Sequence, residues 1–280
     1  MPRFQHPEFA GLLGVAIAAA RESGTLELGA IITADPPMYE CSSATHVGLV
    51  RANNEDCCDT LPDLGLFVVA DGLGGAAGGE RASRLTVSTV VDAAREAGED
   101  LCAQTIYDAV ELANRRIWYE SENDIALDGM GTTITAALLH GHAVDIVNAG
   151  DSRAYRFREG RLERLTSDHT WVRDLAEGTG RSEEEFRNHP MRHMLTKAVG
   201  AESTVNADRI RWDFEPGDIL LLSSDGLHGF VPSERISRVL GTKGTLEEKA
   251  LELIDEALGE GAPDNVTVVL VGHGNSESRT

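Results

Sequence analysis

Five consecutive apolar residues, Leu66–Ala70, run straight into a carboxylate and then into glycine, in the stretch "LFVVADGLGGAAGGE" (66–80). An apolar run that short, bounded by turn-forming residues and rich in Val and Phe, reads as a buried strand rather than a helix. The same device recurs in "DILLLSSDGLHGF" (218–230), where a strand ends at Asp225-Gly226. It recurs again in "GAPDNVTVVLVGHG" (261–274), where Asp264 stands just before the apolar run 266–271. One such acid alone reads as a turn residue bonded to its own backbone. Strands like these three pair in a sheet more readily than they stay apart, so their ends can converge on one point. Carboxylates that share a pocket repel one another and need protons or cations, and an oxygen-only cluster selects hard divalent ions such as magnesium or manganese. Gly72, lacking a Cβ, allows a sharp turn and leaves its own carbonyl free to approach an ion.

Further strands are expected over 44–50, 64–70, 131–140, 142–149, 152–158, 161–165, 218–223 and 265–272, with "NAGDSR" (148–153) as a hairpin turn between two of them. Helices are expected over 80–97, 101–121 and 245–258, where apolar residues recur at helical spacing, as in Leu85, Val87, Val90, Val91 and Ala94. Two helices in succession, with strands before and after, point to antiparallel sheets covered by helices and away from βαβ alternation. Between about 167 and 194 the pattern breaks into a polar stretch with short helical pieces and several histidines. That is long for a connection and reads as a lid or flap.

Residues 1–43 differ from the rest: "TADPPMYECSS" (33–43) reads as a linker, so a single domain is expected over 44–273, followed by a tail over 274–280. The apolar piece "GLLGVAIAAA" (11–20) is too short to span a bilayer. As a signal-peptide core ending in Ala18-x-Ala20 it has only Arg3 before it, offset by Glu8, so it reads better as a packed helix or a loosely attached extension. A length of 280 residues suits one large domain. The 46 Asp and Glu against 25 Lys and Arg leave a net charge of −21, which repels phosphate polymers and anionic lipid and argues against nucleic-acid or membrane partners. The four cysteines, Cys41, Cys57, Cys58 and Cys102, have no zinc or disulfide spacing and fit a reducing cytoplasm.

Ahead of the first acid, "THVGLVRANNEDCC" (45–58) places Arg51, Glu55 and Asp56 in an R-x-x-x-E-D spacing. It is followed in order by "VVADGLGG", "GMGTTITAALL" (129–139), "NAGDSRAYRF" (148–157), "LTKAVG" (195–200), "LLLSSDGL" (220–227) and "PDNVTVVLV" (263–271). Over about 44–273 the set closely resembles the PPM family, the type 2C metal-dependent protein serine/threonine phosphatases, in its bacterial form. The resemblance implies an α+β fold, a four-layer α/β/β/α sandwich of two antiparallel sheets flanked by helices. It implies two tightly bound Mn2+ or Mg2+ ions: Asp71 bridging both, Glu55 and the Gly72 carbonyl on one, Asp225 and Asp264 on the other. Asp56 would bond a metal-bound water, Arg51 would clamp the substrate phosphate with its bidentate fork, and Asp128 would help hold a weaker third ion. The implied reaction is hydrolysis of phosphoserine and phosphothreonine by in-line attack of a metal-bridging hydroxide. The implied partners are phosphorylated proteins, substrates of a bacterial Ser/Thr kinase, met by a cytoplasmic monomer in signal transduction.

The sequence also departs from the family pattern. Leu73 stands where eukaryotic relatives often carry a histidine, the candidate general acid, and many bacterial relatives carry Met; His169 is a weaker substitute, read by default as a solvated loop residue. Gly229 replaces an acid that some relatives place four residues after the Asp of "SDGL", which weakens the expected third site. Asp151 and Arg153 read as pinning a turn, while Asp168, Arg192 and His193 read as solvated flap charges. Cys57 and Cys58, without a C-x-x-x-x-x-R phosphate loop, read as packing residues. Two other assignments compete: a catalytically silent pseudophosphatase acting as a regulatory binding module, and a phosphatase domain serving a sensory module. The intact Glu55, Asp71, Asp225 and Asp264 disfavour the first, and 43 extra residues are few for the second.

Overall fold

A computed structural model describes residues 39–74, 78–186 and 189–273. The apolar piece at 11–20, most of the linker and the tail at 274–280 lie outside the described residues. The strands are β1 (Tyr39–His46), β2 (Cys57–Leu61), β3 (Leu66–Ala70), β4 (Gly72–Leu73), β5 (Gly131–Thr132), β6 (Ile134–His140), β7 (Ala143–Ala149), β8 (Arg153–Arg158), β9 (Arg161–Arg164), β10 (Asp208–Asp213), β11 (Ile219–Ser223) and β12 (Val266–His273). The helices are α1 (Gly78–Ala97), α2 (Ala103–Asn123), α3 (Trp171–Thr179), α4 (Asp225–His228), α5 (Ser233–Leu240) and α6 (Leu246–Gly259).

Two five-stranded antiparallel sheets form, in the orders β1-β12-β11-β8-β9 and β10-β7-β6-β3-β2. Three apolar cores explain the layering. Phe67, Val69, Leu220, Leu222, Val269 and Val271 meet between the sheets. The alternate residues Leu66, Val68 and Ala70 face Val87, Val90, Ala113 and Ile117 of α1 and α2. Leu221, Val266, Val268 and Leu270 face Ile236, Val239, Leu253 and Ala257 of α5 and α6. Strands covered on both faces favour apolar residues at successive positions, which is why β3 is apolar throughout and β12 interrupts Val266–Val271 only at Thr267, whose hydroxyl is paired with that of Thr45. The expected α/β/β/α sandwich is therefore present.

Several local expectations need correction. The strand expected over 44–50 is displaced: β1 starts at Tyr39, paired with His273, and stops at His46, because Gly48 turns away at φ +80. The run 131–140 is split at Thr133, where β5 gives way to β6. The three acid-bearing strands do not share one sheet: β11 pairs with β12, while β3 lies in the opposite sheet. Nor is "NAGDSR" a hairpin, since β7 and β8 belong to different sheets. The chain crosses between layers at Gly150, whose φ of +104 is a backbone state side chains disfavour. The crossing is held by a Ser152–Thr133 hydroxyl bond of 2.7 Å and by Arg153 forking Asp168 from 2.5 to 3.1 Å.

Candidate active site

The layer arrangement brings Arg51, Glu55, Asp71, Gly72, Asp225 and Asp264 to one cleft of about 290 Å³, shared with Leu73, Asp151 and His193. Asp71, at the end of β3, is fixed through its backbone: its N–H donates to Thr133 Oγ1 at 2.9 Å, and its carbonyl accepts from the Thr133 N–H and the Thr132 hydroxyl, both at 2.8 Å. Its side chain faces the cleft, where it shares hydrogen bonds with Asp56 and Asp225. Asp225 opens α4 directly after β11, and Asp264 directly precedes β12. These two segments touch so closely that a Cβ on Gly226 would lie 1.8 Å from the Asn265 carbonyl, so glycine after the acid is a packing requirement.

The same holds on the other side of the cleft. A Cβ on Gly72 would lie 2.3 Å from the Gly79 carbonyl, and one on Gly79 would lie 2.0 Å from Glu55 Oε2. The glycine-rich stretch thus lets the start of α1 close against Glu55, whose carboxylate sits at the positive end of the helix dipole. Glu55 is only 8% exposed. Its N–H donates to Asn265 Oδ1 at 2.8 Å, and its carbonyl accepts from the Ser83 hydroxyl at 2.6 Å. Asn265 also donates to the carbonyls of Val47 and Asn53, each at 2.9 Å, so one side chain ties the Arg51–Glu55 loop to β12. Asn265 and Thr133 are positioning residues that motif reading passed over; their place beside Asp264 and before β6 was the available signal.

Burial and crowding set the charge state of the acids. Asp71 is held well above the usual carboxylate range by burial first, and then by Asp56, Asp225, Asp151 and Asp264. Asp225 is raised in the same way by burial, then by Asp151, Asp264 and Asp56. Burial pushes Asp56 up to about 6 against the hydrogen bonds of Thr267 and Ser224. Asp151 is also pushed up to about 6, by burial and then by Asp168. Acids in this condition take up a proton or a cation readily. Arg51 already supplies one positive charge: its Nη2 lies 2.8 Å from Asp264 Oδ2, and the guanidinium is half exposed. Asp56 Oδ2 accepts from the Ser224 hydroxyl at 2.7 Å, while its buried Oδ1 has no hydrogen-bond partner.

The donor set is all oxygen and carries a partnerless buried carboxylate atom, features that fit hard divalent cations. Among the described residues, no group of three or more His, Cys, Asp or Glu side chains is drawn into a ready-made ligand cage. The carboxylates line a shared cleft, one of them held by Arg51.

Not every residue singled out in the sequence lies where it was expected. Asp128 is exposed and does not line it. Its loop is nevertheless brought alongside, because β5 pairs Gly131 with Leu73 and Thr132 with Gly72. His169 is buried, not solvated as expected. Its Nδ1 accepts from the Gly150 N–H at 3.1 Å and its Nε2 lies 3.1 Å from Asp208 Oδ2, so it braces the crossing turn. Asp168 is buried in the fork of Arg153 and joins the flap to β8; it is no solvated charge. Asp151, expected only to shape the turn, faces the acids. His193 lines the cleft, with Nδ1 3.9 Å from Asp225 Oδ2. Cys57 and Cys58 lie on β2, and burial pushes the Cys58 thiol up to about 11, which fits a packing role.

A family model described as protein phosphatase 2C matches residues 48–252, a span that contains Arg51, Glu55, Asp56, Asp71 and Asp225 and stops short of Asp264. The chain belongs to the protein phosphatase 2C family. It is 37% identical over 234 residues to the serine/threonine phosphatase stp of Listeria monocytogenes, covering 81% of this chain and 93% of that protein. The crystal structure of the Mycobacterium tuberculosis serine/threonine phosphatase PstP/Ppp superposes with a TM-score of 0.78 at 36% identity, covering 85% of this chain and 99% of that one. The catalytic domain of PstP in complex with two manganese ions gives a TM-score of 0.76 at 34% identity, over 85% of this chain and 99% of that one. Membership in the family accounts for the paired sheets with their acids converging from opposite layers.

Proposed function

We propose that this member of the protein phosphatase 2C family hydrolyses phosphoserine and phosphothreonine in proteins with two divalent cations, manganese or magnesium. The observation that carries the reading is the convergence of Glu55, Asp71, Asp225 and Asp264 with Arg51 in one cleft. Asp71, Glu55 and the Gly72 carbonyl would hold one ion, and Asp71, Asp225 and Asp264 the other. When bound, such ions activate a water and neutralise phosphoryl oxygens during in-line displacement. Asp56 Oδ1, buried and without a partner, is the atom suited to accept a proton from the attacking water. Arg51 is exposed enough to exchange Asp264 for a phosphate, which its planar fork matches bidentately. A silent binding module would be expected to lack metal ligands, and none of the four acids is missing.

The domain is proposed to extend from β1 to β12, with the segment at about 167–194 as its flap. We place the enzyme in the cytoplasm as a monomer that opposes a bacterial Ser/Thr kinase. In support, all four cysteines are free, and no helix among the described residues is long and apolar enough to cross a membrane. The test is hydrolysis of a small aryl phosphate and a phosphothreonine peptide with manganese, with magnesium and with chelator. Turnover of both that chelator removes is expected; turnover that persists in chelator overturns the reading.

Arg51→Ala removes a phosphate contact present in ground and transition states alike, so KM should rise about tenfold while kcat falls less. Steady-state kinetics on the aryl phosphate decide it: a loss confined to kcat would place Arg51 on the attacking water instead.

Asp128 is proposed to hold a weaker third ion together with Asp225. With Gly229 in place of an acid, fewer charged oxygens remain, and hard cations bind more weakly as ligand charge falls. Activity should rise with manganese in two phases, and Asp128→Ala should remove the second phase while calorimetry still detects two tight sites. A variant that titrates and turns over like the parent would make Asp128 a turn residue.

A further inference from the structure

A second cavity, of about 380 Å³, opens beside the acid cleft and shares two wall residues with it, Leu73 and Leu195. Beyond this common wall Ala198, Ala201 and Val205 line it, with a polar rim that includes Thr204, Asn206 and Glu202. Its outer wall is built rigidly. Asn114, fully buried on α2, donates to the Glu202 carbonyl at 2.9 Å and accepts from the Gly200 N–H at 2.7 Å. Val199 exchanges two backbone bonds with Thr132, at 2.8 and 3.0 Å. Thr132 is itself paired with Gly72. The cavity is therefore held in fixed register with the cleft where the phosphate would react. Its one cation is engaged, since Lys197 Nζ lies 2.8 Å from Asp208 Oδ1.

We propose that this cavity is a subsite for an apolar side chain of the substrate protein, one adjacent to the phosphoserine or phosphothreonine. The proposal rests on the phosphatase reading of the acid cleft and assigns its neighbour a role in substrate selection. An extended peptide advances about 3.3–3.6 Å per residue, so a flanking side chain reaches past the Leu73–Leu195 wall while the phosphate stays in the cleft. A protein of net charge −21 with five carboxylates around the reacting group repels acidic flanks. Glu202, exposed on the rim, adds to that repulsion, and Lys197 is already taken by Asp208. The apolar part of the wall, Leu73, Leu195, Ala198, Ala201 and Val205, is matched to a Leu, Met or Val side chain. Contacts of this kind form equally in ground and transition state, so they act on KM.

The experiment compares manganese-dependent hydrolysis of four substrates by the full chain: an aryl phosphate, a phosphothreonine peptide with Gly at both flanks, and two matched peptides with Leu on one side or the other. The parent should favour one Leu peptide over the Gly peptide by about tenfold in kcat/KM, carried by KM. Ala201→Trp, which fills the mouth from an exposed position, should erase that preference and leave the aryl phosphate unchanged. Equal rates on Leu and Gly peptides in the parent, with the aryl phosphate still turned over, would overturn the subsite alone, and so would a preference that survives Ala201→Trp. The parent peptide series decides the matter even where the variant fails to fold. Turnover of none of the four would instead remove the phosphatase reading on which the subsite stands.

Discussion

Asp71→Asn should lower turnover by at least about 10³-fold, whatever the manganese concentration, because the neutral amide can no longer serve as the shared anionic ligand of two cations. The fold should survive. The backbone of residue 71 is fixed by Thr132 and Thr133, and Asn keeps that geometry. Without metal the variant should melt above the parent, since it removes one of the carboxylates that crowd Asp56, Asp151, Asp225 and Asp264. A catalytic loss accompanied by a gain in stability is the signature expected of a strained functional site. Calorimetry and aryl phosphate kinetics on the same preparation read both quantities. Near-normal turnover with added manganese would remove Asp71 from the centre of the mechanism.

Manganese should also stabilise the parent strongly at neutral pH and weakly in acid. The four crowded acids have folded-state values raised above their unfolded ones, to about 6 for Asp56 and Asp151 and well above the usual range for Asp71 and Asp225. For such groups the stabilising contribution of protonation is complete below the unfolded value near 3.9 and is lost as pH rises through the folded value. At pH 7.5 the carboxylates are driven toward mutually repelling anions, and cation binding relieves that repulsion. At a hundredfold excess over Kd, each site contributes about 2.7 kcal/mol, enough to raise Tm by roughly 5–10 °C. By pH 5.5 protons compete for the same oxygens, so the manganese-dependent shift should shrink. His169, His193 and His228 have values lowered chiefly by burial and contribute stability that is lost as pH falls through their unfolded value. Taking the difference between manganese and chelator at each pH removes the contribution of His169, which lies outside the cleft; His193, 3.9 Å from Asp225, stays coupled to it. A shift in Tm that is independent of pH would argue that these acids do not hold the metal.

The strand-end acids were legible because a buried strand of a sandwich writes itself as an apolar run, and its polar terminus stands out against it. Their convergence was inferred for a wrong reason: Asp71 comes from one sheet, while Asp225 and Asp264 come from the other. Sheet membership depends on contacts distant in sequence, and so the two alternating runs around 148–153 looked like a hairpin. Ser152 bonding Thr133 and Arg153 forking Asp168 decide it otherwise. The edge strands were hidden for a related reason. "DRIRWD" becomes β10 by pairing with β7, and "CCDTL" becomes β2 by pairing with β3, yet each carries too few apolar residues to announce itself. The glycines after the acids were read as turn formers; the structure adds that Gly72, Gly79 and Gly226 are sites where two backbones, or a backbone and a carboxylate, come too close for any Cβ.

Anomalous diffraction from a manganese-soaked crystal of the full chain tests the central claim most directly. Two peaks should appear in the cleft, one on either side of the Asp71 carboxylate, the first contacted by Glu55 and the Gly72 carbonyl and the second by Asp225 and Asp264. Strong peaks confined to other positions, or a cleft in which Arg51 still holds Asp264 and no manganese binds, would contradict it.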